Sequence, residues 1–140
     1  MLDRTFTPAE ANNALGEVRP AAERLVRTCE RLRDLGSDQG RLVTAIGGNG
    51  EGHAAGDLGA ARSELASVAA EVAACMAVLE SLGVLVKDAD LGLVDFPALR
   101  AGEPVLLCWH VGEDAVTHWH SYDEGYAGRK PIDWGEEEGS

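Results

Sequence analysis

The feature that most constrains the fold is a run of apolar and small residues between Asp57 and Gly83. They recur at alternating intervals of three and four, at Leu58, Ala61, Leu65, Val68, Val72, Cys75, Leu79 and Leu82. This heptad spacing places them on one side of an α-helix about 40 Å long, at ~1.5 Å per residue. Asp57 can cap the helix start and Gly83 can end it. The apolar side has to be covered, either by another helix of the chain or by a second copy.

An earlier helix is predicted to begin at Thr7. Thr7 and Glu10 have the spacing of a capping box, and Pro8 suits the first helical position. Gly16 and Pro20 predict either a short first helix or a kink, followed by a second segment to about residue 35. The simplest cover for the heptad seam is therefore an antiparallel helical hairpin. Because the first helix is expected to be the shorter one, a homodimer paired through the helices is predicted as well.

The segment from 36 to 56 is rich in glycine and contains the stretch GGNGEGHAAG. Glycine destabilises regular structure, so a flexible linker between the helices is expected here. The segment lacks the GxxxxGK[ST] order of a phosphate-binding loop. With 140 residues the chain is expected to form a single domain, and its acidic tail at 134–140 is expected to fray.

After Gly83 the apolar pattern changes to a period of two, which is typical of strands. Four short strands are predicted, at 84–86, 93–96, 104–109 and 115–121. The predicted fold class is therefore α+β: a helical hairpin, with the long helix at about 57–83, followed by a small antiparallel sheet at about 84–121.

The charge balance excludes two classes of partner. The chain has 24 acidic and 12 basic residues, a formal charge of −12. Such a surface repels phosphate backbones and anionic lipids, so neither nucleic acid nor membrane is expected as a partner. The N-terminus lacks the pattern of a secretory signal, and a cytoplasmic location is expected. Three cysteines without a CxxC pair indicate reduced thiols in that compartment.

Chemically reactive side chains are concentrated between Lys87 and Ile132. They are Lys87, Asp88, Asp90, Asp95, Cys108, His110, Glu113, His118, His120 and Arg129. Strand alternation puts His118 and His120 on one face, where two imidazoles can converge on one metal ion. The alternative is that both are half-exposed strand residues with local hydrogen bonds. Whether Cys108 lies opposite a histidine depends on the hairpin register, which the sequence leaves open.

Several of these residues allow more than one interpretation. Asp88 and Asp90 have the alternate spacing of a calcium loop, but residue 99 is leucine, so an Asx-type turn is expected instead. Cys108 is a nucleophile if a histidine lies near it, and otherwise fills the sheet packing. Arg129 either clamps an anionic ligand or ties the C-terminal loop to Asp95 or Glu113.

Four segments carry a resemblance to a known family. They are FTPAEANNALGEVRP, KDADLGLVDFP, LCWHVGED and WHSYDEGYAGRKPI. Together they resemble the bacterial and archaeal domain-of-unknown-function family 2203, over nearly the whole chain outside the glycine-rich segment. The positions that the resemblance marks are Lys87, Asp88, Gly92, Asp95, Phe96, Pro97, Cys108, Trp109, Glu113, Trp119, His120, Gly125, Gly128 and Arg129. His110 and His118 lie outside that pattern. The resemblance implies a site and no reaction.

Three functions remain open from the sequence. In the favoured one the protein is a homo-oligomeric binding module whose polar site in the β region holds a small anion or a divalent metal (zinc, manganese or iron). The expected metal ligands are Asp88, Asp95, Glu113 and His120. In the second, the site is catalytic. The catalytic set is Asp95 or His120 as base, Glu113 as acid or ligand, and Arg129 orienting an acidic substrate. In the third, these groups form an internal ion-pair network and bind nothing.

Overall fold

The computed structural model describes residues 4–49 and 52–134, and within 38–49 and 52–57 it describes the backbone alone. The predicted acidic tail therefore lies outside the described residues, apart from Trp134. The chain divides into two compact units, one formed by residues up to 26 together with those from 75 onward, and the other by residues 27–74. The expectation of a single domain stays a prediction.

Helix α1 runs from Pro8 to Asn49. Its capping box is confirmed, because the Thr7 amide donates to Oε1 of Glu10 at 2.9 Å and the Glu10 amide donates to Oγ1 of Thr7 at 3.1 Å. The helix continues through Pro20, so the alternative of a short first helix is wrong. The buried Val18 and Ala22 on either side of Pro20 hold this part of the helix in place, which offsets the hydrogen bond that proline removes.

The backbone is helical over 36–49 and again from Gly52, although glycine was expected to disfavour regular structure in this segment. Glycine lowers helix stability by about 1 kcal/mol relative to alanine, yet it keeps its amide donor and does not forbid the helix. The flexibility expected of this segment stays a prediction.

Helix α2 runs from Gly52 to Ser81, and the heptad seam is its covered side. Leu58, Val68, Cys75 and Leu79 are buried, and the other four seam residues are half-buried. By contrast, Val78 outside the seam is 49% exposed. In the unit of residues 27–74, Arg31 of α1 pairs with Glu64 of α2 at 2.8 Å. The predicted antiparallel hairpin is confirmed. Because the seam is covered within the chain, it no longer calls for a second copy, and the homodimer stays a prediction.

The sheet has five strands in the order β1-β2-β3-β4-β5, each antiparallel to its neighbour. They are β1 (Leu85–Asp88), β2 (Leu93–Arg100), β3 (Glu103–Trp109), β4 (His118–His120) and β5 (Lys130–Pro131). The α+β fold class is confirmed, and β5 extends the sheet beyond the predicted limit at 121. No helix in the described part of the chain is long and apolar enough to cross a membrane.

Two turns fix how the strands meet. Ala101 and Gly102 join β2 to β3 and both have positive φ, at 51° and 82°, as a two-residue type I′ hairpin requires. Gly92, with φ of 63°, precedes β2. A Cβ there would lie 2.5 Å from Cγ2 of Val111 and 2.9 Å from Cγ2 of Val26, so this position has room for glycine only.

The long connection between β3 and β4 is held by α1. The Asn12 side chain accepts from the Val116 amide at 2.8 Å and donates to its carbonyl at 3.2 Å. Arg19 donates to the carbonyls of Glu113 and Asp114 at 3.0 and 2.8 Å. These bonds fix the loop that carries Glu113.

Candidate functional site

The strand register brings four of the reactive residues, Asp95, Cys108, His118 and His120, onto one face of the sheet. Asp95 of β2 lies opposite Cys108 of β3, and Cys108 lies opposite His118 of β4. His120 is two residues further along β4, opposite Leu106. Because strand residues two apart share a face, Asp95, Cys108 and His120 lie on the same side.

These three side chains converge. Nε2 of His120 lies 3.2 Å from Oδ1 of Asp95, and one ligand atom from each of Asp95, Cys108 and His120 lies within 4.8 Å of the others. Their exposed fractions are 1%, 0% and 3%. We call this group the Asp95–Cys108–His120 cluster. Among the described residues it is the group of histidine, cysteine and acidic side chains whose ligand atoms lie close enough together to hold a metal ion.

The protonation of His120 is constrained by its second nitrogen. Nδ1 lies 2.8 Å from the carbonyl oxygen of Ser121, and a carbonyl can only accept, so Nδ1 carries a proton. In a neutral ring Nε2 is then an acceptor, facing a carboxylate oxygen that is also an acceptor. A proton or a cation has to lie between these two atoms, since two lone pairs would repel each other.

Burial dominates the electrostatics of the other two members. It raises the pKa of Asp95 above its usual value, and the neighbouring His120, Lys87 and Cys108 act in the opposite direction without cancelling it. Burial raises the pKa of the Cys108 thiol to about 12, and the negative charges of Asp95 and Glu113 add to this effect. In the absence of a metal Cys108 is therefore a protonated thiol, since a thiolate would be buried beside a carboxylate.

The second oxygen of Asp95 lacks a partner. Oδ2 is buried and makes no hydrogen bond with any described residue. Nζ of Lys87 lies 4.0 Å away, which is an ion-pair distance and too long for a hydrogen bond. The pKa of the Tyr122 phenol, which follows β4, is raised mainly by burial. The nearby Asp95 carboxylate raises it further. A buried polar atom of this kind costs free energy unless something binds it.

Glu113 and Arg129 form a separate pair. Nη2 of Arg129 donates to Oε2 of Glu113 at 2.5 Å, and Oε1 of Glu113 accepts from the His110 amide at 3.1 Å. Burial acts to lower the pKa of Arg129, but the hydrogen bond and charge of Glu113 outweigh it, so that the pKa is raised. Of the two interpretations of Arg129, the structure shows the tie to Glu113.

Asp88 is used by a turn. Its Oδ1 accepts the amides of Asp90 and Leu91 at 3.0 and 3.3 Å, which confirms the Asx-type turn expected in place of a calcium loop. Asp88 and Glu113, both expected as metal ligands, are outside the Asp95–Cys108–His120 cluster. His110 and His118 are outside it too: Nδ1 of His118 lies 2.8 Å from Oγ1 of Thr117, and Nδ1 of His110 lies 2.8 Å from the Val111 carbonyl.

Cys108 is the member that sequence reasoning undervalued. The two-residue turn at 101–102 supplies the missing signal, because pairing Arg100 with Glu103 and counting back places Asp95 opposite Cys108.

The cluster does not have the features that nucleophilic catalysis by a cysteine requires. Both ring nitrogens of His120 have oxygen partners, and burial keeps the thiol protonated, whereas a nucleophilic cysteine needs a lowered pKa.

Comparison with known protein families gives a match over most of the chain. Residues 4–132 match the family described as Uncharacterized conserved protein (DUF2203). No curated protein and no solved structure matches the chain. The match covers all four segments on which the resemblance was based, and the chain therefore belongs to the DUF2203 family of uncharacterized conserved proteins.

Proposed function

We propose that this protein is a metal-binding module that holds a divalent transition metal ion, zinc in particular, on Asp95, Cys108 and His120. The observation that carries the proposal is the convergence of three different ligand atoms within 4.8 Å, all on buried residues. Zinc–ligand bonds of about 2.0–2.3 Å in a tetrahedral arrangement put ligand atoms roughly 3.3–3.7 Å apart. The cluster needs only small side-chain movements to reach these distances.

The state of His120 supports the same assignment. Histidine ligands usually donate their second N–H to a backbone carbonyl, which fixes the tautomer and orients the ring. Nδ1 of His120 makes this bond with Ser121 and leaves Nε2 facing Asp95 at 3.2 Å. A metal ion bound by Nε2 and Oδ1 would take the place of the proton that lies between these two acceptors in the metal-free protein.

The donor set favours zinc over the harder ions. A thiolate and an imidazole suit zinc, whereas manganese and magnesium prefer oxygen ligands. The thiol has to lose its proton on binding, and the positive charge of Arg129 near Cys108 favours that loss. Three protein ligands leave a fourth position for water or a ligand molecule. A small anion alone fits less well, because it would meet the Asp95 carboxylate. A thiol ligand also suits the reducing cytoplasm expected for this chain.

The test is metal binding by the purified, metal-free chain. We expect about one zinc ion per chain by elemental analysis. We also expect a thiolate-to-metal charge-transfer band when cobalt replaces zinc. Cys108→Ser should abolish the band and weaken zinc binding by more than the roughly 10–100-fold that loss of a second-shell partner costs.

Cys75→Ser is the matched control. Cys75 is also buried and free, but it lies on α2 and outside the cluster, so the variant should bind zinc like the wild type. An unchanged cobalt spectrum in Cys108→Ser, or no binding by the wild type, would reject the proposal. The Asp95–His120 contact would then be a structural ion pair, as in the third function considered from the sequence.

A further inference from the structure

Lys87 occupies a particular position beside the proposed metal site. Its Nζ is 4.0 Å from Oδ2 of Asp95, the carboxylate oxygen that no described residue hydrogen-bonds. The lysine side chain is 45% exposed, whereas that of Asp95 is 1% exposed. The ammonium therefore reaches Asp95 from the solvent side and keeps its own hydration.

The backbone of β1 is irregular at this residue. Val86 pairs with Val94 and Asp88 pairs with Leu93, so the register shifts across Lys87. A bulge of this kind inserts an extra residue and redirects side chains, and bulges are frequent beside functional sites. Since β1 is an edge strand, the Lys87 side chain can swing into solvent without disturbing a neighbouring strand.

We infer that Lys87 is an internal counter-ion that competes with the metal for Asp95. The inference rests on the proposed metal site. In the metal-free protein the Lys87 ammonium offsets the charge of the buried carboxylate. When the metal binds Asp95, its charge and that of Lys87 repel, and the lysine side chain moves away into solvent. Lys87 thus weakens metal binding and makes it readily reversible.

The charge count supports this role. A zinc ion on the Asp95 carboxylate, the Cys108 thiolate and a neutral His120 gives a site with no net charge. The metal-free cluster is neutral too, because the thiol is protonated and one proton lies between Asp95 and His120. The carboxylate that faces Lys87 at 4.0 Å nevertheless carries a bound charge of +2 when zinc takes the place of that single proton, and the balancing negative charge lies on Cys108. Lysine therefore stabilises the metal-free state relative to the metal-bound one.

The experiment compares zinc affinity in wild type, Lys87→Met and Lys87→Arg, by competition with a chromophoric chelator. Lys87→Met removes the charge and keeps an apolar side chain, and it should bind zinc on the order of tenfold more tightly than the wild type. The expected effect is no larger because solvent screens the charge of the half-exposed ammonium. Lys87→Arg keeps the charge and should bind like the wild type. Arg62→Met removes one charge from an exposed site on α2, and it should also bind like the wild type.

Thermal melting gives a second readout, in which Lys87→Met should have opposite effects on stability without and with zinc. Without zinc, Lys87→Met should melt below the wild type, because Asp95 loses its neighbouring cation. With zinc in large excess the variant should gain more from binding than the wild type does, since stabilisation grows with affinity.

The two proposals fail separately. If the wild type binds zinc and Lys87→Met binds with equal or lower affinity, the counter-ion role is wrong and the metal site stands. An equal gain in Arg62→Met would attribute the effect to net charge and also reject the role of Lys87. If neither wild type nor Lys87→Met binds zinc, the metal site and the counter-ion role both fall.

Discussion

Nε2 of His120 and Oδ1 of Asp95 lie 3.2 Å apart with both side chains almost fully buried. The two residues come from strands on opposite sides of β3, so their contact spans the middle of the sheet. Because Nδ1 of His120 is committed to the Ser121 carbonyl, the histidine has a fixed orientation.

Truncation of the histidine should be strongly destabilising. His120→Ala leaves Asp95 buried without its main partner, and loss of one member of a buried pair typically costs about 3–5 kcal/mol. The free energy of unfolding, measured by urea denaturation of the metal-free protein, checks this. His118→Ala is the control: its ring is half-buried and contacts Thr117, so its effect should stay within about 1 kcal/mol. Equal effects of the two variants would contradict the importance of the pair.

Metal binding should release two protons. Burial raises the pKa of Cys108 to about 12, so near neutral pH the thiol enters the reaction protonated and leaves it as a thiolate. The ion also displaces the proton that lies between His120 and Asp95. Calorimetric titration with zinc in buffers of different ionisation enthalpy should give about two protons released per ion. In Cys108→Ser the release should fall by about one proton, together with most of the affinity. Equal proton release by the wild type and Cys108→Ser would mean that Cys108 is not a ligand.

The covered side of α2 should be far more sensitive than its exposed side. Leu79 is fully buried, and truncation of a buried leucine to alanine typically costs about 2–5 kcal/mol. Val78, the adjacent residue, is 49% exposed, and Val78→Ala should change the free energy of unfolding by at most about 0.5 kcal/mol. The two variants make a matched pair for chemical denaturation. Similar costs would show that Val78 is covered in solution, and size measurement would then decide whether a second copy covers it.

The β2–β3 turn contains a testable strain. Ala101 has a φ of 51°, in the left-handed region that favours glycine. Ala101→Gly should stabilise the protein by up to about 1 kcal/mol, because the relief of strain exceeds the added entropy of the unfolded chain. Gly102→Ala, at a φ of 82°, should destabilise it by about 1 kcal/mol or more. Melting temperatures would check both changes, and a destabilised Ala101→Gly would contradict the type I′ assignment.

The surface carboxylate of Glu124 should stay ionised at a lower pH than an ordinary glutamate. The hydrogen bond from Lys130, followed by that from the Ser121 amide, lowers the pKa of Glu124 from 4.5 to about 2. The folded state therefore binds the proton less readily than the unfolded state, so this contribution to stability is complete above pH 4.5 and is lost as the pH falls towards 2. A carboxyl-carbon NMR titration should show Glu124 still ionised at about pH 3.5. Glu124→Gln should lose a small stabilisation at neutral pH, unlike Asp123→Asn at the exposed neighbouring position. A normal titration of Glu124 would contradict the pairing.

Local features were predicted best. The capping box of Thr7 and Glu10 depends on residues three apart, and the heptad seam of α2 needs only a regular spacing. The Asx turn of Asp88 is equally local. The course of α1 through Pro20 was missed because burial of the flanking Val18 and Ala22, which keeps the helix intact, is decided by the rest of the chain.

The amino-acid sequence was enough to predict a helical hairpin, the change to strands after Gly83 and the segment in which polar groups gather. Tertiary structure decided which of these groups meet. The long connection between β3 and β4 leaves their register free, and contacts from distant parts of the chain, among them those of Asn12 and Arg19 of α1 with this connection, accompany the pairing that brings His120 to Asp95. A shift of one residue would turn His120 to the opposite face. Cys108, for which the sequence left packing and chemistry open, meets Asp95 through the two-residue turn at 101–102, but only the distant pairing of β3 with β4 adds the histidine that completes the cluster.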